Sequence, residues 1–231
     1  MCPKSRLVPK ILNNIGGALH ALDEYEKAIE CLKQALSITK DMYGDMHPDV
    51  AATLNNIGTA WSALCEHKEA IEYLEQSLFI TMESHSDPHP DVATTLNNIG
   101  SAWQAIGEPK KAMEYYEQAL SISKAVHGDK HPAVAATLSN IGLVLYALGE
   151  YEKAIECFKQ ALSINEAVYG DRRSAVAANL HNIGMVWYAR GDNKRAKTYI
   201  RQASSILREF YGDEQPSTRN VKRGGVDVVN R

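Results

Sequence analysis

PDVAATLNNIGTAWSAL, residues 48–64, carries apolar side chains at Val50, Leu54, Ile57, Trp61 and Leu64, at alternating intervals of four and three residues. That spacing marks one face of an α-helix. His47-Pro48-Asp49 suits the start of that helix, because proline is pre-set for the first turn and Asp49 complements the positive helix end. After the short polar break CEH a second helix is expected over about 67–84, with Ala70, Ile71, Leu74, Leu78 and Met82 turned inward. Glycine then stops it: Gly44, Gly128, Gly170 and Gly212 stand at the equivalent ends, where a left-handed terminator is expected. The second copy has Ser86 followed by Asp-Pro-His-Pro, so its turn must be made differently.

Working outward, NNIG occurs at 13–16, 55–58 and 97–100, followed by SNIG at 139–142 and HNIG at 181–184, each step being 42 residues without insertion. A fixed period of this length signals a repeat array. One long coiled coil of six heptads per period is excluded, since Pro48, Pro90 and Pro132, with Gly107, Gly149 and Gly191, interrupt each period twice. Ten antiparallel helices remain, two per repeat. The expected repeats run over about 9–50, 51–92, 93–134, 135–176 and 177–218, within an array spanning 7–218. Residues 219–231, TRNVKRGGVDVVNR from Thr218, form a basic C-terminal tail, read as a frayed or truncated sixth repeat.

The repeat resembles the tetratricopeptide pattern, Trp/Leu-x2-Leu-Gly-x2-Tyr followed by Ala-x3-Phe. Leu54, Ile57, Gly58 and Trp61 with Ala70 and Leu74 match it, as do Leu96, Ile99, Gly100 and Trp103 with Ala112 and Tyr116. Leu138, Ile141, Gly142 and Leu145 with Ala154 and Phe158 repeat the pattern, and repeats one and five agree. The lengthened period, with GD-x-HP-x-VA before LNNIG, is similar to the kinesin light chain and nephrocystin type. The resemblance implies an all-α, right-handed superhelical solenoid of five antiparallel helix pairs. The first helix of each pair would line an inner groove and the second would form the outer wall. Gly58 and Ala70 are then small because two helices meet there. Trp61, Trp103 and Trp187 should bury large rings between repeats, each contributing roughly 2–3 kcal/mol.

The second residue of each NNIG string, Asn14, Asn56, Asn98, Asn140 or Asn182, is asparagine in every repeat. Asparagine is a mediocre helix former because its side chain competes with the backbone, so five mid-helix occurrences need a reason. Asn13, Asn55 and Asn97 precede three of them, with Ser139 and His181 in the other two. An amide both donates and accepts, so a ladder of amides can hold an extended chain by its backbone. A bridging role between neighbouring repeats is the rival reading. In similar tetratricopeptide domains these helix positions contact extended peptides, which extends the candidate set to Gln104, Tyr146 and Tyr188. Chaperone-adaptor domains of this type clamp a C-terminal carboxylate with Lys or Arg; only Lys10 could serve here, so no such clamp is expected.

Other chemistry is not signalled. Walker, dinucleotide, zinc-protease, calcium-loop and nucleophile-elbow motifs are all missing. His85-x3-His89 and His127-x3-His131 have metal-ligand spacing but fall in turns, where they read as repeat-junction residues like His47. Cys2, Cys31, Cys65 and Cys157 show no C-x-x-C pairing, which suits a reduced compartment. The start MCPKSRLVPK has no apolar leader core, and no run approaches the ~20 apolar residues of a membrane helix. A net charge of −3 gives no case for nucleic acid, and no cofactor or metal is expected. Residues 172–231 hold 12 Lys and Arg against 5 Asp and Glu, while 1–171 hold 13 against 23, an asymmetry that offers a route to self-association. The expected function is a cytoplasmic, non-enzymatic adaptor or scaffold that binds a protein or peptide partner. The alternative is a sensor module transmitting a conformational change in a signalling system.

Overall fold

The first helices of the three middle repeats begin where a histidine caps them. His47, His89 and His131 sit in extended backbone, and each ring Nδ1 accepts the N–H two residues on, from Asp49, Asp91 and Ala133, at 3.1–3.2 Å. The ring thus satisfies a helix-end donor that a Ser or Asp would ordinarily take. Each of these rings also stacks on the aromatic residue four positions earlier: Tyr43 on His47 at 4.4 Å, His85 on His89 at 3.8 Å and His127 on His131 at 4.0 Å. The histidine pairs are junction pieces, and among the described residues no group of three His, Cys, Asp or Glu is placed to hold a metal ion.

The computed structural model describes residues 7–85, 87–170 and 174–211. The expected turn residue Ser86, the terminator Gly212 and the 219–231 tail lie outside these, as does Cys2. Among the described residues there are ten α-helices and no strand. They are α1 (Leu7–Ala21), α2 (Tyr25–Tyr43), α3 (Pro48–Ala63), α4 (His67–Ser84), α5 (Pro90–Ile106), α6 (Pro109–His127), α7 (Pro132–Ala147), α8 (Tyr151–Tyr169), α9 (Ser174–Ala189) and α10 (Asn193–Tyr211). Odd-numbered helices are the first of each pair. The chain divides into two compact units, one ending at Val126 and one beginning at His127. Within each, a first helix packs on its own second helix, and that second helix packs on the next first helix. This is an all-α solenoid.

The small residue of NNIG explains the pairing. A Cβ on Gly58 would stand 2.6 Å from Leu74 and 3.1 Å from the carbonyl of Ala70. On Gly100 it would meet the Tyr116 ring at 2.7 Å, and on Gly142 the Phe158 ring at 2.6 Å. Gly16 and Gly184 meet Leu32 and Ile200 in the same way. Tyr116 and Phe158 are fully buried against these glycines, so the aromatic side chain fills the space the missing Cβ leaves.

Two expectations need correcting. The left-handed terminator lies in the turn between paired helices. Gly107, Gly149 and Gly191 have positive φ there, and Asp23 and Cys65 adopt it at φ 60 and 64 in the two repeats without glycine. Cys65 N–H donates to Ser62 O at 3.0 Å and Glu66 N–H to Trp61 O at 3.1 Å, the paired bonds of a Schellman turn. At the ends of α2 and α8, Gly44 and Gly170 combine positive φ with ψ of 169 and 173, an extended region essentially open to glycine alone. The second correction concerns burial. Met82 is 58% exposed instead of inward, because it lies on the outer side of α4 with Phe79. The tryptophans are only half-buried. Lys33 lies over Trp61 at 5.3 Å, Lys111 over Trp103 at 4.0 Å and Arg195 over Trp187 at 4.3 Å, so cations roof the part of each ring that packing leaves open.

Candidate functional site

The apolar face of each first helix is spent on its partner helix, which leaves an outward stripe at four-, three- and four-residue steps. In α3 the stripe is Ala52, Asn56, Thr59 and Ala63; in α5 it is Thr94, Asn98, Ser101 and Ala105. In α1, Lys10, Asn14, Gly17 and Ala21 are all exposed. In the second unit the stripe carries larger apolar side chains, Leu143 in α7 and Met185 in α9, beside Asn140 and Asn182. Within the first unit α1 approaches α3 and α3 approaches α5, whereas α2 and α4 make no comparable approach. The second unit repeats this, with α7 close to α9 and no comparable approach of α8 to α10. In each unit the first helices therefore form the tighter layer.

The two asparagine sets have different environments. Asn13 Nδ2 donates to Thr53 Oγ1 at 3.2 Å, and Asn13 Oδ1 accepts from Asn56 Nδ2 at 3.1 Å. One repeat on, Asn55 Oδ1 accepts from Asn98 Nδ2 at 3.0 Å and from Thr95 Oγ1 at 3.4 Å. Asn13 and Asn55, expected to face a ligand, are therefore occupied in bridging consecutive repeats. Asn97 Nδ2 donates back to Ala93 O at 3.1 Å. In the second unit Ser139 Oγ lies 2.8 Å from Asn179 Oδ1 and 2.9 Å from Ala135 O, two acceptors for one hydroxyl proton. Of the second-position amides, Asn56 and Asn98 use a donor in the ladder and are half-buried, and Asn14 is exposed. Asn140 and Asn182 are half-buried on the equivalent stripe.

Gln104, Tyr146 and Tyr188 lie beside the stripe, nearer the paired helix. Gln104 Oε1 accepts from the Tyr116 hydroxyl at 3.1 Å, and burial pushes the pKa of that phenol up to about 12. Tyr146 leans on Tyr151 across the turn at 5.9 Å, and Tyr188 packs on the core of repeat five. His181 takes the first-position place in α9, and burial lowers its pKa below the usual imidazole value. The cysteines Cys31 and Cys157 are half-buried, and burial raises the Cys157 thiol above its ordinary range.

Sequence reasoning missed the residues that receive the first-position amides. Thr53, Thr95 and Asn179 are buried polar residues that also bond back to Asp49 O, Asp91 O and Ala175 O in their own helices. The signal was available. A polar residue stands three positions after Val50, Val92 and Val176 on an otherwise apolar face, whereas repeat one has Ile11 there. Ile11 has no preceding bridge to receive and is exposed.

Among the described residues no helix is long and apolar enough to cross a membrane. A family model described as Tetratricopeptide repeat matches residues 7–83, 62–125, 91–167 and 133–209. No curated protein matches the chain in sequence. Similar solved structures include an array of nearly identical tetratricopeptide-like repeats from Podosopora anserina, assigned to the kinesin light chains. It is 23% identical over 91% of this chain and 99% of its own, with a TM-score of 0.73. BtubC (BKLC) from P. vanneervenii is 20% identical over 87% of this chain and 80% of its own, with a TM-score of 0.76. The apo form of RapI is 16% identical, covering 98% of this chain and 64% of its own, with a TM-score of 0.71. With the family model spanning most of the helices and the glycine contact repeated in all five pairs, the chain belongs to the tetratricopeptide repeat family.

Proposed function

We propose that this chain is an adaptor that holds an extended peptide segment of a partner protein along the stripe of its first helices. Tetratricopeptide arrays generally engage protein partners, and the observation that supports the finer reading is the second-position asparagine. In the first unit its donor is fixed by the preceding repeat, which orients the carbonyl oxygen of Asn56 and Asn98 and leaves it an acceptor for a backbone N–H. An amide held by a neighbour loses little rotamer freedom when a ligand arrives, so the contact is pre-organised. The residues around it, Ala52, Thr59, Thr94 and Ser101, are small enough to let a backbone approach. Asn140 and Asn182 extend the set in the second unit, where Leu143 and Met185 add apolar contact.

The test selects binders from a random dodecapeptide library on the intact chain and titrates one of them into the Asn56→Ala/Asn98→Ala variant. The expected result is a fold that survives, at a cost of about 1 kcal/mol per lost bond, and peptide affinity reduced about tenfold or more. A variant that binds like the parent would remove these amides from the ligand site. Collapse of the fold with unchanged peptide affinity in the surviving fraction would assign them to bridging alone.

A further inference from the structure

A cavity of about 230 Å³ opens between repeats two and three, within the first unit, among α3, α4 and α5. That is below the roughly 300–1,000 Å³ of a pocket for a whole small molecule, and suits a single side chain. Ala52, Asn56 and Thr94, all members of the stripe, line it. Its wall includes Thr81, His85 and Asp91.

The hydroxyl donors around this space are already committed, and the Asn55 amide, whose oxygen serves the ladder, also lines it. Ser77 Oγ donates to Ala51 O at 2.7 Å, Thr81 Oγ1 to Ser77 O at 2.8 Å, and Thr94 Oγ1 to Pro90 O at 3.1 Å. His85 Nδ1 lies 2.9 Å from Thr81 O, so that nitrogen donates there. Helix N-termini usually attract anions, but here the first N–H groups of α5 are taken: Asp91 N–H by the His89 ring, and the Val92 and Ala93 N–H groups by His89 O. Apart from the Asn55 and Asn56 amides, what the cavity offers a visitor is acceptors: the Asp91 carboxylate and hydroxyl lone pairs. No lysine or arginine lines it.

We infer that this cavity receives a cationic side chain, lysine or arginine, from the segment held along the stripe. The inference rests on the peptide-binding reading of the first helices and names the chemistry of one position in that peptide. An ammonium or guanidinium brings only donors, which suits a wall with more acceptors than free donors and no lysine or arginine, and Asp91 supplies the opposing charge. The junction between repeats one and two is built differently, with Ala35 in place of Ser77, Tyr43 in place of His85 and Lys10 in place of Ala52. The cation preference is therefore expected at one junction of this unit.

Two experiments on the intact chain test it. In the first, n-butylammonium, n-butylguanidinium, butyramide and butyrate are titrated while backbone amide NMR signals are followed. The cations should shift Asn56, Thr94 and Thr95, and Asp91→Asn should weaken them about fivefold or more. Ala52→Lys places in repeat two the lysine that repeat one already carries as Lys10, and should block the site. Butyramide or butyrate binding as well as the cations, or cation binding undiminished in Asp91→Asn, overturns the inference. In the second, a library-selected peptide is made with lysine, norleucine or glutamate at the position that tolerates substitution least. Preference for lysine, lost in Asp91→Asn, supports the cavity as the reader of that side chain. Equal binding of all three overturns the cavity's role and leaves the groove reading standing. Cation binding without any peptide binding overturns the groove reading instead.

Discussion

Each first helix meets two neighbours through one short string, and the two contacts behave differently. Toward its paired helix it presents glycine, and Gly16, Gly58, Gly100, Gly142 and Gly184 repeat without change against a large side chain. Toward the next repeat within a unit it presents the first-position residue, which is asparagine at 13 and 55 and serine at 139. The first contact is limited by volume, because a dry, close-packed interface has no room for one more carbon. The second is limited only by the presence of a donor or acceptor at the right height. Asn55 and Ser139 both supply one, to Thr95 and Asn179 respectively.

The sharpest way to break this contrast is to overfill the glycine contact. Gly100→Leu should destabilise by more than about 2 kcal/mol, since the new side chain starts with its Cβ 2.7 Å from the Tyr116 ring. An unchanged urea midpoint would remove Gly100 from the interface. The bridge should be softer. Asn55→Ala leaves the Asn98 amide without its acceptor, while Thr95 keeps Asp91 O, and should cost about 1 kcal/mol, of which Asn55→Ser should restore part. Equal losses for alanine and serine would show that the amide acts by packing and not by hydrogen bonding.

His181, at the same place in the last repeat, adds a pH dependence. Burial lowers the folded-state pKa of His181, so the unfolded chain binds its proton more readily. The stability tied to this ring is present above the ordinary imidazole pKa near 6.5 and is lost as pH falls through that value toward the folded-state pKa. His181→Asn, which restores the residue of the first three repeats, should flatten thermal stability between pH 7.5 and about 5 relative to the parent. Parallel curves for the two proteins would contradict the assignment. The smallest effect belongs to the turn at Cys65. A left-handed conformation costs a non-glycine residue about 1–2 kcal/mol, and glycine's greater freedom when unfolded returns about 0.5–1 of that. Cys65→Gly should therefore raise the melting temperature by roughly one or two degrees, whereas Asn or Gly at an exposed position such as Ala21 should not.

The repeat, its helix pairs and the tight contact at Gly58 and Ala70 were legible because periodicity and residue size state them directly. The amide bridge was only half legible. Residues 40 apart, such as Asn13 and Thr53, meet because one repeat stacks on the next, and nothing local to either shows it. The histidine cap was hidden for a different reason. Proline and aspartate after His47 already explain a helix start, so the ring's acceptor nitrogen had no apparent task. Met82 was misjudged because α4 has an apolar residue on its outer side as well, at Phe79, and a sequence pattern cannot rank two apolar faces.

The central claim is that the stripe holds a peptide by its backbone, through the carbonyl oxygens of the second-position asparagines. The most direct measurement is an N-methyl scan of a library-selected peptide, with affinity for the intact chain determined at each position. N-methylation removes one backbone donor and leaves every side chain in place. The expected result is a loss of about tenfold or more at two or more separated positions, with the loss absent in the Asn56→Ala/Asn98→Ala variant, which no longer offers those acceptors. Binding that tolerates N-methylation at every position would contradict the claim.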